Sequence, residues 1–591
     1  MAVDLPRLET DKPYTYLLPI EPTPGLFVSV PFHGRTVKGY VLGPTDDVPG
    51  RVLPVRRVLS SVPLFAAGDL ELYRWMADRY VIPLATVIGR AHPPRVAGEE
   101  GRPAPDPEPL PARAPPDVLA GYRHGEALRA ACRSGSGAFV FRPLPDHEAG
   151  ACLEAVDACV AGGRRAIVVV PEAEPLPETA RAVKEAYGEA ALLYVGGGQR
   201  ARYRWWLDML AGRWPVVVGT QRAVLAPVAD LGLVWVNREA HPALREDRAP
   251  RHHARDVALA RAGLSGAVAV LAGLCPSAEA VALAGRGGAV TIRAPRQAER
   301  RAAPLVETVR PDREEIAHRL ASRLRETDGA FLLVSRRGAG VARVCRTCGA
   351  PARCATCGGT LQASGGRTRC TVCGAEGACA SCGGTSFGID PRGVEHVEAR
   401  ARRLTDLPVR RVDEGPAAEP PGPGRVVVGT AAAVKDFGPL RVGLVSVLDA
   451  DAARRRPGFS APEQSLATWM EAAMWAGPRG SGGRVVVQTA EPADPAIQAL
   501  IRWDPLHLHR HEAARRAEAG FPPGHPVFRL VGPAGLPNAV KDLDPVHVLA
   551  TSLGDETVCL VTLRPDAVSG LREWVRTHPG VVARVEAEPQ L

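Results

Sequence analysis

Lysine is almost absent from this chain of 591 residues: only Lys12, Lys38, Lys184, Lys435 and Lys541 occur. None of the five stands in a glycine-rich setting that ends Gly-Lys-Ser/Thr. That absence excludes the usual phosphate cradle, in which loop amides and a lysine hold the phosphates and a hydroxyl holds magnesium. Arginine carries the positive charge instead; it suits phosphate contacts and equally suits a GC-rich genome. Long apolar runs are missing too, since the alanine-rich stretch near 257–274 is broken by Arg261 and by glycines. The N-terminal MAVDLPRLETDKPYTYLL has early acids and no apolar centre, so no export signal is visible and a cytoplasmic setting is expected. Outside one dense segment cysteine is sparse; Cys132, Cys152, Cys159, Cys275 and Cys559 are scattered and read as buried thiols.

The dense segment runs from Cys345 to Cys382 and holds four CxxC knuckles, at Cys345/Cys348, Cys354/Cys357, Cys370/Cys373 and Cys379/Cys382. Two such pairs complete one tetrahedral four-thiolate zinc site, so eight cysteines imply two zinc ions. The segment has little apolar content of its own, essentially Leu361 and Val372, so a structural metal must supply the folding energy. A disulfide cluster is the competing reading, and nothing points to the oxidising setting it needs. The gaps of five, twelve and five residues favour a nested arrangement, because five is short for a ribbon. Cys354, Cys357, Cys370 and Cys373 then form one site, and Cys345, Cys348, Cys379 and Cys382 the other; sequential pairing stays open. Each four-thiolate zinc site carries a net −2, so two of them lower the formal charge from +9 to +5, a mild basic bias compatible with nucleic acid.

Length implies several domains. Residues 12–59 read as a β-rich unit, with LFVSVPF and KGYVLG as strands joined at His33-Gly34-Arg35. In DLELYRWMADRYV the spacing places Leu70, Tyr73, Met76, Ala77 and Tyr80 on one helix face. GRPAPDPEPLPARAPP, residues 101–116, predicts an extended proline-rich linker and a domain boundary. Beyond it AIVVVP, ALLYVG, PVVVGT, LGLVWV and GAVAVLAG are short apolar runs of the buried parallel-strand kind, with helical patterns between them. GAFLLVS, LPVRRVD, GRVVVGT, VGLVSVLDA and GRVVVQT form a second such series, interrupted by the cysteine segment just after its first strand. A His/Arg-rich helix and a small β-containing unit close the chain. The alternating His507, His509 and His511 read as a solvated face, His252 and His253 as packing residues, and Arg454-Arg455-Arg456 as a solvated charge run.

Laid out in this way, the chain resembles the primosomal protein N′ family of bacterial replication-restart DNA helicases over nearly its whole length. The residues that carry the resemblance are Tyr14 to Pro19, Pro24-Gly25, Val30-Pro31-Phe32, Val169 to Glu172, Val218 to Ala223, Pro250 to Asp256, Ser335 to Gly338, the eight cysteines, Gly429-Thr430, Val447 to Asp451 and Val487-Gln488-Thr489. It implies a multi-domain α/β protein: a β-rich N-terminal DNA-binding domain (1–100), a linker (101–120), and two RecA-like helicase lobes (121–300 and 301–500). The second lobe carries an inserted eight-cysteine, two-zinc module (345–388), and a small C-terminal α+β domain (501–591) follows. It also implies nested zinc pairing, forked and single-stranded DNA as ligand, and primosome proteins with the replicative helicase-loading machinery as partners. In the N-terminal domain it points to Tyr14, Tyr16 and Arg35 as DNA contacts, although Thr15 and Leu53 replace an acid and a lysine of the family; both tyrosines read equally well as core residues.

The departures bear most on activity. Where the family has its phosphate loop the chain reads Arg142-Pro143-Leu144-Pro145-Asp146-His147-Glu148-Ala149, with Glu148 in place of the lysine and Ala149 in place of the hydroxyl. The family's DEEH box becomes Asn237-Arg238-Glu239-Ala240, its SAT motif Gly273-Leu274-Cys275-Pro276, and its last arginine motif Glu471 to Pro478. Four separate losses predict a DNA-binding restart protein without ATPase or helicase activity. The alternatives are a helicase with an unconventional nucleotide site, and a zinc-ribbon adaptor that no longer binds DNA.

Overall fold

The structure, a computed structural model, describes residues 1–589 apart from 49, 61, 104, 313, 336–341, 349, 351, 357–360, 365–366, 371–373, 390–393, 413–419, 455 and 457. It comprises two compact units, residues 1–295 with 509–590, and residues 296–508.

In the first unit, Ala2–Val3, Arg35–Tyr40, Phe27–Phe32 and Arg57–Val58 form an antiparallel sheet in that order. His33 (φ 44°) and Gly34 (φ 78°) make a two-residue turn whose twist suits the hairpin. Arg35, expected in the turn, is the first residue of the second strand and pairs with Phe32. The helix Ala67–Tyr80 buries the predicted Leu70, Tyr73, Met76, Ala77 and Tyr80, and Leu72 beside them.

Seven parallel strands follow, ordered Val290–Arg293, Gly137–Arg142, Val268–Ala272, Leu231–Val236, Arg165–Val169, Val216–Gly219 and Ala191–Tyr194. Every residue of Leu231–Val236 and Val216–Gly219 is buried, which is why these runs are apolar without alternation. Gly219 packs so closely that a Cβ there would lie 2.9 Å from the Tyr194 carbonyl oxygen. The C-terminal part is an antiparallel sheet ordered His547–Leu553, Glu556–Thr562, Val527–Gly532 and Arg584–Ala587, with the helix Val568–Thr577.

These three parts share one apolar core, to which Leu64 and Tyr73, Trp206 and Val217, and Phe528 and Leu571 all contribute. Trp206 donates its Nε1–H to the Leu64 carbonyl (2.7 Å), and Arg245 donates to the Ala587 carbonyl (2.7 Å). Arg79 pairs with Glu588, and Arg572 with Asp11. His509, expected on a solvated face, is instead buried, with Nε2 2.8 Å from the Pro276 carbonyl oxygen; the parallel sheet's own loop covers that side of the helix Leu506–Glu518.

The proline-rich residues 105–118 lie outside any helix or strand, and the segment that leads to them is fastened at several points. Arg204 donates to the carbonyls of Arg102 and Pro103, Arg213 meets Glu108 at 3.1 Å, and Arg113 pairs with Asp157. Its end is fixed by the buried Glu154, which accepts from the amides of Val118 (2.7 Å) and Leu119 (2.8 Å) and also pairs with Arg129.

The second unit is a six-stranded parallel sheet ordered Leu305–Val309, Arg484–Gln488, Leu444–Val447, Ala330–Leu333, Val426–Gly429 and Val409–Val412. The cysteine module leaves it after Ala330–Leu333. Its base is the ladder of Ala342–Cys345 against Phe387–Ile389, and its second hairpin is Leu361–Ser364 with Arg367–Cys370. The fold is thus multi-domain α/β, with two RecA-like parallel lobes, the cysteine module in the second and a β-rich N-terminal domain. No helix among the described residues is long and apolar enough to cross a membrane.

Glu154→Ala leaves the Val118 amide and the buried Leu119 amide without their acceptor, and takes one carboxylate from Arg129, which keeps Asp117 and Glu126. It is expected to lower stability by about 3 kcal/mol, with partial recovery in Glu154→Gln. Urea denaturation followed by far-UV circular dichroism checks this; a shift below about 0.5 kcal/mol, the usual range for a surface substitution, contradicts it.

Candidate functional site

The sulfurs of Cys345, Cys348, Cys379 and Cys382 lie within 4.8 Å of one another. Cys345 and Cys382 are 3.6 Å apart and Cys348 and Cys379 3.8 Å. Four sulfurs around zinc at about 2.3 Å stand about 3.8 Å from each other, so the spacing suits a tetrahedral ion and is far too long for a disulfide. The first and last knuckles meet because the ladder at the module's base brings their strands together. Hydrogen bonds from the Cys348 and Thr347 backbone hold the Cys345 thiol down at about 6, and the Ser381 backbone lowers Cys379. Cys382 would be lowered by the Gly384 backbone, but its shared protons with Cys348 and Cys345 push it up to about 12. Thiols so crowded cannot all ionise alone, and a divalent cation relieves that repulsion. A zinc ion held there would supply folding energy, its four ligand positions being filled by thiolates.

Cys354 and Cys370 are buried in the same small core as Leu361 and Phe387; Cys357 and Cys373, expected to complete the second site, lie outside the described residues, as does Val372. Residues 336–338 of the Ser335 to Gly338 motif and Arg455 lie outside them as well.

In the N-terminal domain Tyr14 and Tyr16 are half-buried against the outer face of the sheet. The Tyr14 hydroxyl donates to the Thr10 carbonyl (3.1 Å), its ring meets Phe32 edge-on at 5.2 Å, and the Lys12 ammonium lies 5.6 Å over it. The Tyr16 hydroxyl donates to the Pro31 carbonyl (3.0 Å). Arg35 is exposed at the start of its strand.

The loop between Gly137–Arg142 and the helix Glu148–Ala161 stands where a phosphate cradle needs free amides. Pro143 and Pro145 have none. The Leu144 amide donates to the Tyr122 hydroxyl (2.8 Å), and the His147 amide to the Leu144 carbonyl (3.1 Å). Glu148 accepts from the Asn237 side-chain amide (2.6 Å) and from the Arg238 backbone (3.3 Å). Asn237, fully buried, also donates to Thr179 Oγ1 (3.0 Å). The residue at the lysine position is therefore bonded to the residue at the magnesium-acid position. Residue identities gave the losses from sequence alone; the bond between them was not legible, since 122, 148, 179 and 237 are far apart in the chain.

Next to it, the buried Glu239 accepts from the Ser277 amide (2.6 Å) and hydroxyl (2.9 Å). Burial raises its carboxyl above the ordinary range despite Arg255 at 3.7 Å. His253 accepts from the Arg255 amide and caps the helix Ala254–Ser265, the packing role expected for it. In the second unit Asp449 accepts from the Ser335 amide (2.7 Å), Asp451 from Thr489 Oγ1 (2.5 Å), and Arg454 pairs with Asp451, Glu491 and Asp494. Arg454, read as part of a solvated run, is thus paired with three carboxylates. Trp475, within the segment that replaces the arginine motif, is buried edge-on against Phe331 at 4.9 Å.

A family model of the PriA 3′-DNA-binding domain matches residues 1–93. The probable replication restart protein PriA of Mycobacterium tuberculosis is 33% identical over 600 residues, covering 93% of this chain and 89% of that protein. Replication restart protein PriA of Treponema pallidum is 27% identical, covering 89% and 85%. Among solved structures, RecG bound to a three-way DNA junction is 12% identical over 76% of this chain and 53% of that one, with a TM-score of 0.39.

Replacing Cys379 with serine is expected to remove about one zinc ion per chain from the purified protein, read by elemental analysis. Unchanged metal content contradicts the four-sulfur site.

Proposed function

The chain belongs to the PriA replication restart protein family, and from that premise we propose that it binds forked and single-stranded DNA and recruits restart partners without hydrolysing ATP. The closed phosphate loop carries this reading. A nucleotide would have to break the Glu148–Asn237 and Leu144–Tyr122 bonds, then place its phosphates against a carboxylate without a lysine or a magnesium-holding acid nearby. The second lobe points the same way, since Arg454 is held by three acids and no arginine stands between Glu471 and Pro478.

DNA binding rests on the N-terminal domain, where Arg35 is an exposed cation and Tyr14 and Tyr16 are half-buried aromatic rings. The eight cysteines hold two zinc ions: Cys345, Cys348, Cys379 and Cys382 one, and Cys354, Cys357, Cys370 and Cys373 the other. The module they fix is a rigid docking surface for primosome proteins and the replicative helicase-loading machinery. The protein works in the cytoplasm at the nucleoid, and any unwinding belongs to a partner. The adaptor reading draws on a specific observation, the tyrosine hydroxyls already bonded to the chain's own carbonyls.

ATP turnover by the zinc-loaded protein, with and without forked DNA and followed across a size-exclusion peak, tests the proposal. The expected result is no turnover that tracks the peak, with fork binding that weakens as salt rises because phosphate contacts release counterions. Fork-stimulated turnover in the peak overturns the silent motor, and absence of fork binding favours the adaptor. Glu148→Lys alone is expected to leave turnover undetected, because the magnesium acid and the arginines are still missing.

A further inference from the structure

Most arginines of the first unit are paired with carboxylates or carbonyls, yet one cleft gathers three around a single acid. Arg90, at the end of the helix Leu84–Ala91, Arg222, just after the strand Val216–Gly219, and Arg248 line it together with Glu246, His252 and Met76. All three arginines are exposed at the rim. Neither the Arg90 nor the Arg248 guanidinium has a carboxylate partner among the described residues, whereas Arg222 donates Nε–H to Glu246 (2.8 Å). Burial would raise the Glu246 carboxyl, but the Arg222 hydrogen bond and charge outweigh it and hold it below the ordinary range. The one acid is therefore already neutralised, and two positive charges remain unbalanced in a concave site.

The floor adds an independent observation. His252 is only 2% exposed, and neither ring nitrogen has a hydrogen-bond partner. Burial lowers it to about 4, so the ring is neutral and one nitrogen carries a proton to donate. An unpaired polar ring in a buried position costs free energy unless a ligand or water meets it. Like charges converging on one notch carry a similar penalty, and an oxyanion relieves both.

We propose that this cleft is a phosphate-binding site, and that the phosphate it takes belongs to the backbone of single-stranded nucleic acid. The site lies outside residues 1–93 in two of its three arginines, so it is a contact additional to the N-terminal domain. It rests on the DNA-binding reading above for the source of the phosphate, but not for the anion chemistry.

The full zinc-loaded chain is compared with the double variant Arg90→Ala/Arg248→Ala in binding a labelled oligothymidylate across a salt series. The expected result is at least tenfold weaker binding and a log–log salt slope shallower by about 1.4, two contacts at about 0.7 each for a single strand. The same charge loss at exposed Arg300 and Arg301 is expected to leave affinity within twofold. Unchanged affinity in the cleft variant, or an equal loss in the Arg300/Arg301 variant, overturns the proposal. If the unmodified chain binds no DNA at all, the DNA-binding reading fails and the cleft is judged with inorganic pyrophosphate. Thermal stabilisation of the unmodified chain but not of the double variant then supports a phosphate site for a free anion in place of a strand, and no stabilisation overturns it.

Discussion

A carboxylate stands where a phosphate-binding lysine would be required, and the loop around it is folded to satisfy that carboxylate. Glu148 heads its helix, where the exposed amide ends favour negative charge, and it takes donors from Asn237 and Arg238 on the neighbouring strand end. Once those donors are committed, the loop amides turn to Tyr122 and to the loop's own carbonyls. The C-terminal edge of the parallel sheet, where an open α/β fold presents ligands, is thereby an internally bonded surface. The sheet beneath it needs no nucleotide to hold together, because its central strands are buried on both faces.

The parts of the first unit are held together by packing that involves no nucleotide. The N-terminal helices, the parallel lobe and the C-terminal sheet bury side chains in one core, and arginines such as Arg245 tie the tail back to the lobe. Removing the lobe would expose the surfaces that hold the other two parts in place. The cysteine module is different in kind: among the described residues its core is mainly cysteine with Leu361 and Phe387, too little apolar surface to fold unaided.

Much of this was legible in the sequence. Continuous Val-rich runs mark the parallel strands, and a 3.6-residue spacing names the buried face of Ala67–Tyr80. Other strands carry no such pattern, for physical reasons. Gly137–Arg142 ends in a buried arginine, Val290–Arg293 is a half-exposed edge, and His547–Leu553 is an edge strand with Leu549 60% exposed. The knuckle gaps favoured joining the first and last cysteine pairs, and the structure brings those four sulfurs together. Contacts between distant residues were beyond reach: the fastening of the linker by Arg204 and Arg213, the burial of His509, and the cleft assembled from positions 90, 222, 248 and 252. Each pairs residues whose local sequence carries no sign of the other.

The Glu148–Asn237 bond stands where a nucleotide's phosphates would have to lie in the first lobe, and equilibrium binding probes that place with fewer intervening steps than an assay of turnover. Isothermal titration of magnesium-ATP into the zinc-loaded chain should give no saturable heat at millimolar nucleotide. Stoichiometric binding that is altered by Asn237→Ala would contradict the account, because it would place the nucleotide against the bond said to exclude it.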